Sequence, residues 1–335
     1  MSKVFIIAEI AQAHEGSLGI AHSYIDALGA CGVDAIKFQT HIAEAESSEH
    51  EIFRVNFSYE DKTRFDYWKR MEFTKEQWEG LAQHCNEKGV EFMSSPFSCA
   101  AVDLLESLNV KRYKIGSGEL QNYLMLDKIA RTGKPIILSS GMSNWQELHE
   151  TIDFLKSYGN KLSLLQCTTA YPTLPRQWGL SQIAEMKKRY GLTTGFSDHS
   201  GKSFVGIAAA AMGAEILEFH VVFDKQMFGP DAIASLTIDE VKYLVESIRE
   251  LEYDRNAKYD KSNSDKYSTL KTMFGKSLAV NKSLEVGHVL TINDLESKKP
   301  GDKGISAKEF TKVIGKHLVR EMKQWYFLNY SDISI

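Results

Sequence analysis

The chain has 335 residues, 43% hydrophobic and 25% charged, with a net charge of −4. That length exceeds one ordinary domain and fits a barrel-sized domain with a small companion. Acidic and basic residues interspersed at this balance exclude the basic footprint of a nucleic-acid binder, so positive charge at a site must be local.

From residue 4 to about 255, short runs rich in Val, Ile and Leu alternate with longer amphipathic stretches. Eight such pairs predict an α/β TIM (β/α)8 barrel over residues 1–255. The predicted strands are Val4-Ile10, Ala35-Gln39, Glu91-Ser95, Arg112-Ile115, Pro135-Ser139, Leu162-Gln166, Thr194-Ser197 and Ile216-Val222. Helices are predicted at Leu18-Cys31, Thr74-Lys88, Gln146-Tyr158, Phe204-Gly213 and Ile238-Arg255. After the second strand, an aromatic-rich insertion from His41 to Phe73 breaks the rhythm. A loop of that length on the catalytic face covers a site or packs on a partner. The polar stretch 256–272 reads as a linker and 273–335 as a small mixed α+β domain. Strands are expected there at Ser277-Val280 and Val289-Thr291, with a Gly-Pro-rich loop from Lys299 to Ile305 and a short helix near Ala307-Ile314. Below roughly 70 residues such a domain leans on another surface. The cysteines Cys31, Cys85, Cys99 and Cys167 lack CxxC spacing and read as reduced packing residues. The N-terminus runs straight into a strand without a basic leader, so the expected location is cytoplasmic, with neither export nor a membrane span.

Two stretches, Ser197-Asp198-His199 and Glu218-Phe219-His220, end apolar runs one strand-helix-strand unit apart. Adjacent parallel strands bring both imidazoles to one rim. Two neutral imidazoles suit a borderline divalent ion such as Mn, Co or Zn, with positions left open for water and substrate. The alternative for each ring is a core histidine satisfied by a backbone carbonyl, which pairing at equivalent strand ends disfavours. Lys37 and Lys114 are embedded in apolar strands and need an anion. Either Glu9 and Glu119 supply it as an ion network, or a phosphate or carboxylate does, cradled by Ser95, Ser117, Ser139 and Ser197. No cysteine has an obvious base, and covalent catalysis is the poorer reading.

The stretches Glu9-Ile10-Ala11-Gln12-Ala13-His14-Glu15-Gly16, Lys37-Phe38-Gln39-Thr40, Tyr113-Lys114-Ile115-Gly116-Ser117-Gly118-Glu119, Ser139-Ser140-Gly141-Met142, Cys167-Thr168-Thr169-Ala170-Tyr171-Pro172 and Gly229-Pro230-Asp231 join the two above. In this order they resemble the sialic acid synthase (N-acetylneuraminate synthase) family, and residues 273–335 resemble its antifreeze-like domain. The resemblance implies condensation of phosphoenolpyruvate with the open-chain aldehyde of a hexosamine, typically N-acetylmannosamine. The products would be a nonulosonic 2-keto-3-deoxy acid and phosphate, released by C–O cleavage. It implies a divalent metal on His199 and His220 that polarises the aldehyde, manganese first, with cobalt or magnesium as alternatives. Lys37, Gln39, Ser95, Lys114, Ser117, Ser139 and Ser197 match the phosphoenolpyruvate cradle. Glu9 and Glu119 match residues that handle the proton and position water, in an order the sequence leaves open. Thr169, standing where relatives often have asparagine, joins Tyr171 and Asp231 on the sugar side, with Gln12, His14 and Glu15 along the rim.

The resemblance also implies a domain-swapped homodimer in which Lys299, replacing an arginine of relatives, reaches the partner's site. Gln324-Trp325 replaces a glycine turn. A legionaminic or pseudaminic acid synthase using a 2,4-diacetamido sugar is the alternative, and Gly229-Pro230-Asp231 favours the sialic or legionaminic branch. A non-catalytic sugar-binding relic is the reading from another class. Retention of both histidines, both lysines and Glu9 opposes it.

Overall fold

Eight strands of the computed structural model form one parallel sheet: β1 Phe5–Glu9, β2 Ala35–Thr40, β3 Glu91–Pro96, β4 Tyr113–Ile115, β5 Ile136–Ser139, β6 Leu162–Cys167, β7 Thr193–Asp198 and β8 Ile216–Val222. The structure describes residues 3–53, 55, 57–257 and 259–334, in two units, Met1–Ala257 and Lys258–Ile335. In the first unit the strand order is β3-β2-β1-β8-β7-β6-β5-β4. β3 and β4 lie side by side at the seam, where no ladder joins them among the described residues. This is the expected TIM barrel, each strand boundary falling within one residue of its prediction, because buried strands are continuous apolar runs bounded by polar residues and Gly or Pro. The helices Lys75–Glu87, Trp145–Lys156 and Ile238–Asn256 each open on a capping box, Thr74 with Gln77, Asn144 with Glu147 and Thr237 with Glu240.

The barrel interior explains where the site must lie. Ile7, Ala35, Met93, Ile137, Leu165 and Ile216 fill its lower layer. Strand side chains alternate, so two residues further on the inward positions are Glu9, Lys37, Ser95, Ser139, Cys167 and Glu218. An apolar plug thus supports a polar layer at the carboxyl ends. The wall is tight: a Cβ on Gly195 would meet the Ile216 carbonyl oxygen at 2.2 Å.

The insertion is structured. It forms the helices Ala43–Glu46 and Arg64–Met71, the second capped by Thr63 with Asp66. Ala43, Tyr67, Trp68 and Met71 make a small core with Phe53, Phe57 and Phe65. Arg70 pins it, pairing with Asp61 at 2.8 Å and with Glu15 at 2.9 Å.

In the second unit Ser277–Val280 pairs antiparallel with Leu295–Lys298. The strand expected at Val289-Thr291 is only an isolated bridge from Val289 to His317, and the expected helix is the 3-10 segment Ala307–Lys312. The predicted linker is also corrected: the barrel's last helix enters it, and Ser268–Phe274 is a helix of the second unit. Lys258, within that stretch, lies outside the described residues. Trp325 has φ 70°, so the turn conformation is kept without the glycine.

Asp294 organises this unit. Its Oδ2 accepts from Thr291 N–H at 2.8 Å, Thr291 Oγ1 at 2.7 Å and His288 Nε2 at 3.0 Å, and Lys282 meets Oδ1 at 2.8 Å. Burial pushes this carboxyl up, but Lys282, His288 and Thr291 outweigh it and hold it well below the carboxylate range. A depressed carboxylate stabilises above its unfolded pKa, about 3.9, and that stability is lost as pH falls toward the folded value. Protection factors of the Leu278 and Val280 amides are therefore expected to fall below about pH 4 in the native chain and to be low throughout in Asp294→Ala. A native profile that stays flat under acid would remove Asp294 from this role.

Candidate active site

A cavity of about 420 Å³ opens at the carboxyl ends of the strands. It is lined by Glu9, Lys37, Gln39, Ser95, Lys114, Ser117, Glu119, Ser139, Thr169, Tyr171, Ser197, His199, His220 and Asp231, all the site residues expected within the barrel. Gln12 lines it too. Two rim expectations are corrected. His14 is buried, its Nδ1 accepting from Gly16 N–H at 3.1 Å, and Glu15 is taken by Arg70. Lys299 belongs to the second unit, where its ammonium lies 5.0 Å from the Phe274 ring centroid.

Register builds the centre. Glu9 stands abreast of Lys37 on one side and His220 on the other. Lys37 Nζ lies 2.6 Å from Glu9 Oε1 and 3.7 Å from Glu218 Oε2, and donates to Ser95 Oγ at 3.2 Å. Lys114 pairs at 3.0 Å with Glu218, not with Glu119, whose carboxylate takes Asn122 Nδ2 instead. The ion network left open by the sequence therefore exists with one partner exchanged. Ser197 donates to Glu218 at 3.2 Å, and the buried Ser139 hydroxyl has no hydrogen-bond partner among the described residues. A Cβ on Gly141 would come within 2.6 Å of both Ser117 Oγ and Thr169 Oγ1, so the glycine lets these two hydroxyls share the wall.

The electrostatics follow from these contacts. Burial raises Glu9, but Lys37, His220 and Lys114 more than reverse this and hold its carboxyl well below the usual range. Burial opposes the charge on Lys37, while Glu218 and Glu9 outweigh it and raise the pKa. Glu119 is raised by burial, only partly offset by Asn122.

The imidazoles lie with ring centroids 5.3 Å apart, and Tyr171 packs 4.2 Å from His199. His199 Nδ1 donates to the Thr168 carbonyl at 3.0 Å, which leaves Nε2 free to ligate. Burial disfavours its charged form, but Cys167 and the Thr168 carbonyl outweigh that and raise it to about 9. His220 Nε2 lies 3.3 Å from Glu9 Oε2, while its buried Nδ1 has no hydrogen-bond partner among the described residues. An orphaned nitrogen on a buried ring is costly unless something occupies it, and the two rings fit a divalent ion held by two imidazoles. Among the described residues no group of three or more His, Cys, Asp or Glu side chains forms a metal cage.

Sequence reasoning missed two features. Glu218 stands in the second of the two histidine-bearing stretches, and a carboxylate two residues before His220 on the same strand face is the signal that marks it. Cys167, expected as packing, lines the cavity with Sγ 3.9 Å from His199 Nδ1. The insertion contributes Phe57, Arg64, Tyr67 and Trp68 to the wall. Among the described residues no helix is long and apolar enough to cross a membrane.

The model of the NeuB family matches residues 24–260. The N,N'-diacetyllegionaminic acid synthase of Legionella pneumophila is 35% identical over 94% of this chain and 90% of its own. The N-acetylneuraminate-9-phosphate synthase of Homo sapiens is 32% identical over 94% of this chain and 88% of its own. The crystal structure of N-acetylneuraminic acid (sialic acid) synthetase from Leptospira borgpetersenii in complex with citrate superposes with a TM-score of 0.70. It is 28% identical and covers 80% of this chain and 90% of that one. With the strand-end residues gathered in one cavity and these matches spanning the barrel, the chain belongs to the NeuB family.

Proposed function

We propose that this chain is a synthase that condenses phosphoenolpyruvate, water and the open-chain aldehyde of an N-acetylated hexosamine, N-acetylmannosamine first, into a nonulosonic acid and phosphate. The observation that carries it is the polar layer itself, with two buried lysines and four serine hydroxyls facing two imidazoles across one cavity. Lys37 and Lys114 supply the positive charge for the phosphate and carboxylate, and Ser95, Ser117, Ser139 and Ser197 supply short hydroxyls around them. Glu9 already receives Lys37, Gln39 and His220, so it serves as a fixed anion that orients the water adding at C2. Glu119 takes the Asn122 side-chain donor and has a raised pKa, which suits it to carry the proton. Tyr171, Asp231 and Thr169 take the sugar hydroxyls and acetamide. His199 and His220 would hold a divalent ion, manganese first, which supplies Lewis-acid polarisation of the aldehyde when bound. Holding it requires His199 to give up its proton.

The test is phosphate release by the full chain with phosphoenolpyruvate and manganese, with and without N-acetylmannosamine, and the product mass. Release that ignores the sugar, or no release, would overturn the reading. A second reading replaces the acceptor with a 2,4-diacetamido sugar, supported by the likeness to the legionaminic acid synthase and by the apolar cavity wall of Phe97, Trp68 and Met142, which suits a second acetyl group. A higher kcat/KM for that sugar would decide for it. The assembly proposed with either acceptor is a two-fold dimer in which Lys299 of the small unit serves the partner's cavity. A sedimentation mass of one chain at micromolar concentration would refute it.

A further inference from the structure

One cavity histidine has no part in the chemistry above. His41 is buried, stacked between Trp68, with centroids 3.8 Å apart and planes at 16°, and Phe97, at 4.4 Å and 15°. Its Nδ1 lies 2.5 Å from Glu46 Oε1, and its Nε2 lies 3.2 Å from Gln39 Oε1. Gln39 Nε2 in turn donates to Glu9 Oε1 at 2.7 Å, and Glu9 Oε2 faces His220 Nε2 at 3.3 Å. An unbroken line of contacts thus runs from Glu46 through His41, Gln39 and Glu9 to the imidazole pair.

Donor and acceptor chemistry fixes the sense of the line. The Glu9 carboxylate only accepts, so Gln39 must turn its NH2 toward Glu9 and its carbonyl toward His41. The Nε2 of His41 is therefore the donor to that carbonyl. Without this donor the amide keeps its bond to Glu9 but loses its second anchor, so the side chain can swing about the remaining contact and hold Glu9 less firmly. The flat clamp of Trp68 and Phe97 stops the ring from swinging, and Glu46 holds its other nitrogen.

We infer that His41 is a positioning residue, locked by Trp68, Phe97 and Glu46, that fixes the Gln39 amide and through it the orientation of Glu9. Glu46 and Trp68 both come from the insertion, so the insertion is part of the catalytic wall as well as a cover. The inference rests on the proposed synthase reading for its kinetic consequence, though not for its geometry.

The test compares the full chain with His41→Phe, which keeps a flat ring without donors, and His41→Gln, whose amide nitrogen falls near the place of Nε2. Gln39→Leu and the double variant His41→Phe/Gln39→Leu complete a cycle. In His41→Phe the Gln39 side-chain amide, followed by NMR, is expected to exchange at least about tenfold faster, kcat to fall about tenfold, and the phosphoenolpyruvate KM to stay within about threefold. His41→Gln recovers part of both losses, and the double variant is no slower than Gln39→Leu. Wild-type amide exchange in His41→Phe, a kcat within about twofold of wild type, or multiplying effects in the double variant would each overturn the inference. Absence of phosphate release by the wild type would instead overturn the synthase reading, and the exchange measurement would still decide the role of His41.

Discussion

Replacing His220 with alanine is expected to lower kcat/KM by roughly 10³-fold, about 4 kcal/mol of transition-state stabilisation, while the fold survives. The ring is buried near the end of a strand, with one nitrogen toward Glu9 and the other without a hydrogen-bond partner among the described residues. This is the geometry on which the proposed metal role of the ring rests. Its removal leaves Glu9 with Lys37 and Gln39, so no carboxylate is stranded. Chelator treatment of the native chain is expected to produce the same loss, reversed by added manganese, and the variant is expected to show no recovery. Circular dichroism on each sample separates loss of chemistry from loss of fold. Full turnover by chelator-treated native enzyme would sink the metal proposal.

The parts of this site that the sequence announced are those that depend on strand periodicity. Lys37 and Lys114 stand out because an ammonium in an apolar run needs an anion, and the serines follow because each stands at or just beyond the end of its own strand. The pairing of Lys37 with Glu9 is a lateral neighbour contact set by register. Contacts across the barrel are not written in any local pattern. Lys114 on β4 finds Glu218 on β8, while Glu119, closer in sequence, turns to Asn122. His41 was illegible for a different reason: its clamp joins the end of β2, the insertion and the residue after β3, and the insertion follows no single period. In the second unit, Leu295–Lys298 has the sequence Leu-Glu-Ser-Lys, with no β-branched residue to mark it as a strand.

Lys114→Met is expected to raise the phosphoenolpyruvate KM roughly 10- to 150-fold while the sugar KM changes little, because one charge-assisted contact is worth about 1.5–3 kcal/mol. The structure adds a second consequence. The two ammonium groups face two carboxylates, and Glu218, 1% exposed, lies 3.0 Å from Lys114 and 3.7 Å from Lys37. Removing Lys114 leaves the buried Glu218 carboxylate with Lys37 at 3.7 Å and Ser197, and breaking a buried pair from one side costs up to about 3–5 kcal/mol of stability. Adding Glu218→Gln should restore most of that stability, since the amide still accepts from Ser197 and carries no charge. It should not restore phosphoenolpyruvate affinity, because the lost cation is still missing. The single and double variants thus separate the two roles proposed for Lys114, holding the barrel mouth together and holding the substrate. Urea unfolding and steady-state kinetics on the same samples measure both. A Lys114→Met effect confined to the sugar would mean that the two halves of the cavity have been exchanged, and recovery of phosphoenolpyruvate KM in the double variant would mean that Lys114 acts only by neutralising Glu218.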